Sequence, residues 1–455
     1  MSRAIEGAGS GRQERWAIIG AGWSGLACAV EGIDRGAAVT LIDAAPAVGG
    51  RARRVDLKFG DVHYTLDNGQ HLLLGACSQT LALMRRVGVD PDRALLARPF
   101  SLRYPDGWQL QAMRAPAPWH LALGLVGARS LPWRHRIAMA GFVAQAGRDG
   151  WRRDPDCSVA QLLLSQPPEL VRRLWRPLCV AAMNAEPELC SANIFLNLLR
   201  LSLGGRRHDS DLLLTRKDLS ATMPLAALDY LQRRGTQILL RQAAIGLHRS
   251  AHAWSIELRE QELSFDRVVL AVPADSAARL LGSTTLETLG ETIRLLHGLR
   301  YEPLATVYLR YPGGVRLAAP LYALLDDAGK GRFGQWVFDR GAIDASHGSS
   351  ILGVVIGGPC LRDPVDHAVL CSSACRQLQA DFKLPPSQAQ RVVVERRATL
   401  LAAVGLQRPP ARLPAPGLYL AGDAAASAFP STLEGSVRAG LEAAGLAAAD
   451  RELRI

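Results

Sequence analysis

The chain has 455 residues and 48% hydrophobic content, enough for two or three domains or one large two-lobed body, which excludes a disordered or fibrous protein. Its net charge is +11, yet only Lys58, Lys217, Lys330 and Lys383 among the 53 basic residues are lysines, and no basic stretch interleaves with aromatics as a nucleic-acid module would. Such a charge fits either a solvated arginine-rich surface or attraction to anionic lipid headgroups. The eight cysteines are scattered without a CxxC pair and read as reduced core thiols, with no metal site and no disulfide framework. "MSRAIEGAGSGRQER" at the start is polar and glycine-rich with no apolar core of a signal peptide, so a frayed N-terminus and a cytoplasmic location are expected.

In chain order, residues 15–20 predict an apolar strand, 24–35 a helix ended by Gly36, and "AVTLID" (38–43) a second strand: a βαβ start. Around residue 76 the doubly wound pattern gives way to short strands and turns. From Ala115 to Gly147, apolar helical stretches are bordered by Trp119, Trp133, Arg129, Arg134 and Arg136. No apolar run there reaches the ~20 residues of a membrane span. The stretch fits an interfacial membrane contact or an ordinary buried helical hairpin. Helix, glycine and strand return at 223–250, and "FDRVVLAVPADSAARLL" adds a strand and a helix. Strands such as "ATVYLRY" and "SILGVVIGG" then suit a second lobe, and the last forty residues read as strand, loop and alanine-rich helix. The expectation is an α/β fold: a discontinuous Rossmann-like dinucleotide-binding domain (14–75, 206–284, 412–455) interleaved with a substrate-binding α+β domain (76–205, 285–411).

In "GAGWSG", Gly20 permits a tight turn, Gly22 lets the backbone approach a pyrophosphate, and Gly25 lets the helix pack on the strand, while Trp23 and Ser24 open the helix whose N-terminus faces the phosphates. Asp43 ends the second strand, where a carboxylate accepts from a ribose hydroxyl, favouring NAD or FAD over NADP. Beyond it, Gly49 and Gly50 allow close backbone approach and Arg51 can hold a phosphate by paired hydrogen bonds.

With a glycine-spaced turn, a ribose acid and then GGR, the chain resembles the flavoprotein family of amine oxidases, carotenoid desaturases and Rab GDP-dissociation inhibitors. "LYLAGDAAASAFPSTLEGSVRAG" resembles that family's C-terminal flavin motif. The resemblance implies FAD, with Gly422 and Asp423 at the ribityl or pyrophosphate region. It puts Thr432, Leu433 and Glu434 near the pyrophosphate and the pyrimidine side of the flavin, and Ala244 and Ile245 in the strand that reads adenine. "YTLDNGQHLLLGAC" (64–77) and "LWRPLCVAAMNAEPELCSANIFLNLL" (174–199) narrow it to a resemblance to the bacterial hydroxysqualene dehydroxylases. That implies reductive removal of a hydroxyl from hydroxysqualene, giving squalene for hopanoid synthesis. It also implies an apolar C30 isoprenoid substrate, which makes squalene-pathway synthases candidate partners; the charge and the 115–147 stretch, read as a membrane contact, add the expectation of a cytoplasmic protein peripheral on the inner face of the cell membrane.

Such an alcohol needs an apolar tunnel, and a hydrogen-bond donor or acid near the hydroxyl lowers the barrier to its departure. Asp67, Asn68, Gln70 and His71 form the densest polar cluster outside the phosphate motifs. His71, or a water it orients, is a candidate proton donor; alternatively Asp67 and Asn68 brace the loop beneath the flavin and His71 is merely hydrogen-bonded. Asn184 either faces the tunnel or caps a helix before Pro187. An amine oxidase is less favoured, since the loop after Asp423 offers alanine and serine up to Phe429 instead of an aromatic pair, and Lys217 reads as a surface turn. A desaturase running the hydride the other way and a non-catalytic prenyl-lipid carrier are the remaining alternatives.

Overall fold

The computed structural model describes residues 13–128, 130–250, 253–344, 350–361, 363 and 365–452. Most of the N-terminal stretch read as frayed, and Arg129, therefore lie outside the described residues.

Five parallel strands form the first sheet, in the order Gln237–Leu240, Ala38–Asp43, Arg15–Ile19, Arg267–Leu270, Leu418–Leu420. Side chains alternate across a strand, so the first one feeds two cores. Trp16 and Ile18 pack with helices Trp23–Asp34 and Leu433–Glu452, whereas Ala17 and Ile19 pack with helix Ala274–Gly282 and a three-stranded meander (residues 246–265). Burial on both faces explains the continuous apolar runs. The last helix lies so close to the first that a Cβ on Gly440 would stand 2.1 Å from the Ser24 carbonyl oxygen.

The second sheet is antiparallel, ordered Leu321–Ala323, Trp336–Asp339, Ser350–Gly357, Tyr301–Tyr311, Ala389–Leu400. Helix His367–Phe382 covers one face through Leu370, Ala374 and Leu378 against Val307, Val337 and Val354. The alternate residues Trp336, Phe338 and Val355 belong to the other face and line a cavity. Helices Arg176–Met183 and Ala192–Leu203 close over that face around Trp175 and Phe195.

The chain crosses the expected boundaries at 76 and 206 more intimately than the pattern suggested. Leu72–Leu74 and Leu95–Arg98 both pair with Leu212–Thr215, so segments assigned to both domains share one small sheet. Helix Ser78–Arg86 inserts Leu83 and Met84 into the core that the first sheet shares with helices Trp23–Asp34 and Leu433–Glu452. Among the described residues no helix is long and apolar enough to cross a membrane.

Candidate functional site

The site begins where the first sheet's strands end. Gly20 has φ +109°, and a Cβ there would stand 2.3 Å from the Ala271 carbonyl oxygen; a Cβ on Gly25 would stand 1.7 Å from the Gly20 oxygen. Both are demanded by backbone packing. Gly22 differs: its Cβ would meet nothing nearer than Gly50 Cα at 3.9 Å. The GAGWSG and GGR turns touch there, with the Gly49 N–H donating to the Ala21 carbonyl at 2.9 Å.

Three features show that this cradle fits a pyrophosphate. Helix Trp23–Asp34 has no side-chain cap and no acid in its first turn, leaving its N-terminal N–H groups and positive pole for an anion. The Ser24 hydroxyl is buried with no hydrogen-bond partner among the described residues. Asp43 stands beside them, accepting from the Ala21 N–H at 2.5 Å and the Ala45 N–H at 2.7 Å, which fixes the carboxylate with lone pairs to spare for a ribose. The Trp23 indole acts structurally, donating to the Ala52 carbonyl at 2.9 Å and so holding the GGR turn.

Arg51 and Asp423, from motifs 372 positions apart, form an ion pair at 2.7 Å. Ser431 donates to the same Asp423 oxygen at 2.7 Å, and the Tyr301 ring lies 5.5 Å from the Arg51 guanidinium. Gly422 precedes the aspartate with φ +91°. Together these join the two motifs expected to hold a flavin.

Two expectations need correcting. Ala244 and Ile245 do not lie in a strand: Arg241, at φ 59°, ends Gln237–Leu240, and the next strand starts at Gly246. The Ile245 N–H is committed to the Glu257 carbonyl, although Gln242 N–H donating to the Asp43 carbonyl keeps the segment beside the ribose acid. Glu434 is not free for a flavin through its side chain. Its carboxylate accepts from the Gln79 and Thr80 N–H groups, the Thr80 hydroxyl and Arg438, capping helix Ser78–Arg86. Thr432 accepts from the Gly435 N–H at 3.1 Å and caps the last helix, while Leu433 joins the cavity wall.

That cavity, about 340 Å³, adjoins Arg51 and Thr432 and is walled mainly by leucine, with Phe195, Phe338 and Val355. Its polar lining includes Asn68, Gln70 and His71. Asn68 donates to the Arg51 carbonyl at 2.6 Å and accepts from the Arg53 N–H at 3.2 Å, so its amide braces the GGR turn. Gln70 donates to the Tyr308 hydroxyl at 2.7 Å, which donates to the Asp67 carbonyl at 2.6 Å.

The Asp67 carboxyl is 1% exposed, accepts from the Leu219 N–H at 2.7 Å and does not line the cavity, which corrects its candidacy as a group touching substrate. Burial pushes it up to about 7, against the pull of Arg340's charge and the Leu219 hydrogen bond. For His71, burial alone depresses the imidazole to about 4, so the ring is neutral near pH ~7. A neutral ring can orient a hydroxyl or a water but holds no spare proton, which favours the oriented water over His71 itself as the donor.

Asn184 combines both roles proposed for it. It ends helix Arg176–Met183 in the left-handed conformation, φ 52°, lines the cavity, and donates to the Pro303 carbonyl at 3.0 Å. Lys217 is exposed and away from the cavity. Sequence reasoning missed Trp336, whose indole N–H is buried without a partner among the described residues in the cavity wall, and Tyr308, which fixes Gln70. Only their place in alternating strands marked them.

Residues 23–448 match the flavin-containing amine oxidoreductase family. The chain is 30% identical over 458 aligned positions to a hydroxysqualene dehydroxylase of Sinorhizobium fredii, covering 94% of this chain and 97% of that protein. Against a hydroxysqualene dehydroxylase of Rhodopseudomonas palustris the identity is 28%, covering 94% and 97%. Among solved structures, cyclohexylamine oxidase from Brevibacterium oxydans superposes with TM-score 0.68 at 18% identity, covering 97% of this chain and 100% of that one. An oxidoreductase from Methanosarcina mazei gives 0.70 at 13% identity, covering 94% and 99%. These two likenesses speak for the fold alone.

Proposed function

The chain belongs to the flavin-containing amine oxidoreductase family, among its hydroxysqualene dehydroxylases, and is an FAD-dependent oxidoreductase; from that premise we propose that it reductively removes the hydroxyl of hydroxysqualene, giving squalene for hopanoid synthesis. The observation that carries this reading is the leucine-walled cavity opening beside Arg51 and Thr432, with a small polar cluster at that junction. An extended hydrocarbon matches such a wall, and a single hydroxyl matches such a cluster.

In this reaction the C–O bond breaks, a C–H bond forms, and the departing oxygen takes one proton to leave as water. Bound and reduced, FAD supplies the hydride. Gly22 and the helix N-terminus would receive its pyrophosphate and Asp43 its ribose, while the paired Arg51 and Asp423 hold the junction between motif and cavity. Asn68 braces the GGR turn, and Tyr308 fixes Gln70 beside His71. His71, held neutral, orients through a ring nitrogen the water that delivers the proton. The leucine wall excludes bulk water, so that one oriented molecule is favoured over general solvation.

The test is anaerobic: the flavin is reduced, mixed with hydroxysqualene, and its reoxidation followed alongside squalene by mass spectrometry. Reoxidation with stoichiometric squalene is the expected result. No reoxidation, with the oxidised enzyme bleached by squalene or phytoene instead, would make the chain a desaturase.

A further inference from the structure

Helices Trp119–Gly127 and Trp133–Arg148 pack apolar residues such as Leu125 and Phe142 inward and yet carry a second apolar face outward. On the first, Trp119 is 64%, Leu123 46% and Val126 70% exposed, spaced four and three residues apart on one face. On the second, Trp133 is 72% and Ile137 62% exposed. The inward residues include His120 and His135, both buried, with His120 Nε2 3.2 Å from the Ser210 hydroxyl. A water-facing hairpin would present the histidines and bury the tryptophans, so this face is built for a less polar surrounding.

Charge decides what that surrounding is. Between positions 107 and 148 the sequence has Arg114, Arg129, Arg134, Arg136 and Arg148 and no aspartate or glutamate. Arg114 and Arg134 are exposed, whereas the Arg136 guanidinium is spent on the carbonyls of Val126, Ala128 and Leu131, locking the two helices together. A second copy docked face to face would bring arginine to arginine with no acid between. An anionic bilayer surface satisfies both features: tryptophan suits the headgroup level, and each arginine near the surface adds ~1 kcal/mol.

We propose that this hairpin docks the enzyme on anionic lipid bilayers, inserting Trp119, Leu123, Val126, Trp133 and Ile137 at the acyl boundary. The hairpin backs onto the cavity: Ser210, the partner of His120, lines it, and Gly124 packs on the carbonyl of Gln111, the strand residue that pairs with Ser101, another lining residue. Delivery of an apolar alcohol from the bilayer into the cavity rests on the proposed function; the docking itself does not.

Flotation of the flavin-loaded full chain with vesicles of phosphatidylcholine alone, or mixed with phosphatidylglycerol, needs no substrate and so tests the docking separately. The wild type is expected to float with the mixed vesicles, and brominated acyl chains to quench part of its tryptophan fluorescence. The double variant Trp119→Ser/Trp133→Ser should keep its flavin and its turnover of detergent-dispersed substrate while losing at least about tenfold in vesicle affinity. Undiminished binding by the variant, or no binding by the wild type at low salt, overturns the proposal. A wild-type dimer that becomes monomeric in the variant with vesicle binding unchanged also overturns it, assigning the face to a second copy.

Discussion

The phosphate cradle and the leucine-walled cavity meet at Arg51 and Thr432, yet they are constructed on opposite terms. In the cradle the backbone does the work, and spaces are set to tenths of an ångström by carbonyls that cannot move: Ala271 against Gly20, Gly20 against Gly25. In the cavity, side chains from several separate segments supply a wall whose requirement is volume and apolarity. The first should fail abruptly under the smallest substitution; the second should tolerate change until the bore is blocked.

Gly25→Ala is the severest test. Its methyl would lie 1.7 Å from the Gly20 oxygen, so the first helix must leave the sheet. A colourless protein destabilised by about 4 kcal/mol or more is expected in flavin absorbance and thermal melts. Gly22→Ala sharpens the comparison, because its methyl meets only Gly50 Cα at 3.9 Å. That variant should fold with nearly wild-type Tm and bind flavin more weakly, since the methyl stands where the pyrophosphate approaches. Equal stability of the two variants would mean that the cradle is less rigid than its geometry.

For the cavity, Val355→Trp adds bulk to the wall without touching the phosphate motifs. Flavin content and Tm should stay close to wild type, while kcat/KM falls by about 100-fold, roughly 2.7 kcal/mol. A wild-type kcat/KM would mean that substrate does not pass Val355.

The same contrast governs what the sequence revealed. Gly20, Gly22, Gly25 and Asp43 were legible because each answers a local demand of a strand–turn–helix unit. Asn68 was legible as a possible loop brace because a polar run followed a strand. Contacts joining distant segments left no local trace: nothing near Glu434 announces that it caps a helix at Ser78, and nothing near Asp67 announces Leu219 as its partner. Arg241 ends a strand that apolar patterning would continue toward Ala244, since a left-handed residue other than glycine is hard to foresee. The tryptophans of the hairpin were visible, but whether they face inward or outward is decided by packing against residues from 101 to 111 and 210.

Asp67 is buried and His71 half-buried in the cavity wall, and their linkage to folding has opposite sign. The Asp67 carboxyl, raised to about 7, is protonated in the fold where the unfolded chain has already ionised, so its contribution to stability falls as pH rises from about 4 to 7. Asp67→Asn removes that slope while its amide oxygen still accepts from Leu219. Its stability relative to wild type should therefore improve by about 2 kcal/mol between about pH 5 and pH 8 in denaturant titrations. A constant difference would mean that Asp67 ionises normally.

His71 runs the other way and has the smallest expected effect. Depressed to about 4 by burial, it is neutral in the fold at a pH where the unfolded chain takes up a proton. The fold therefore gains stability from this group as pH rises from about 4 to 6.5, and loses it as pH falls through that window. His71→Gln relieves the acid-side penalty, so the variant's stability relative to wild type should be greatest near pH ~4 and decline toward pH ~6.5. In turnover, a neutral ring that orients a water leaves kcat without an inflection near pH ~6.5, and His71→Gln should lower kcat about tenfold with flavin content unchanged. A wild-type profile that falls on the alkaline side of about pH 6.5, and that the glutamine variant flattens, would show instead that the imidazolium itself carries the proton. His71 would then be an acid rather than a guide for one.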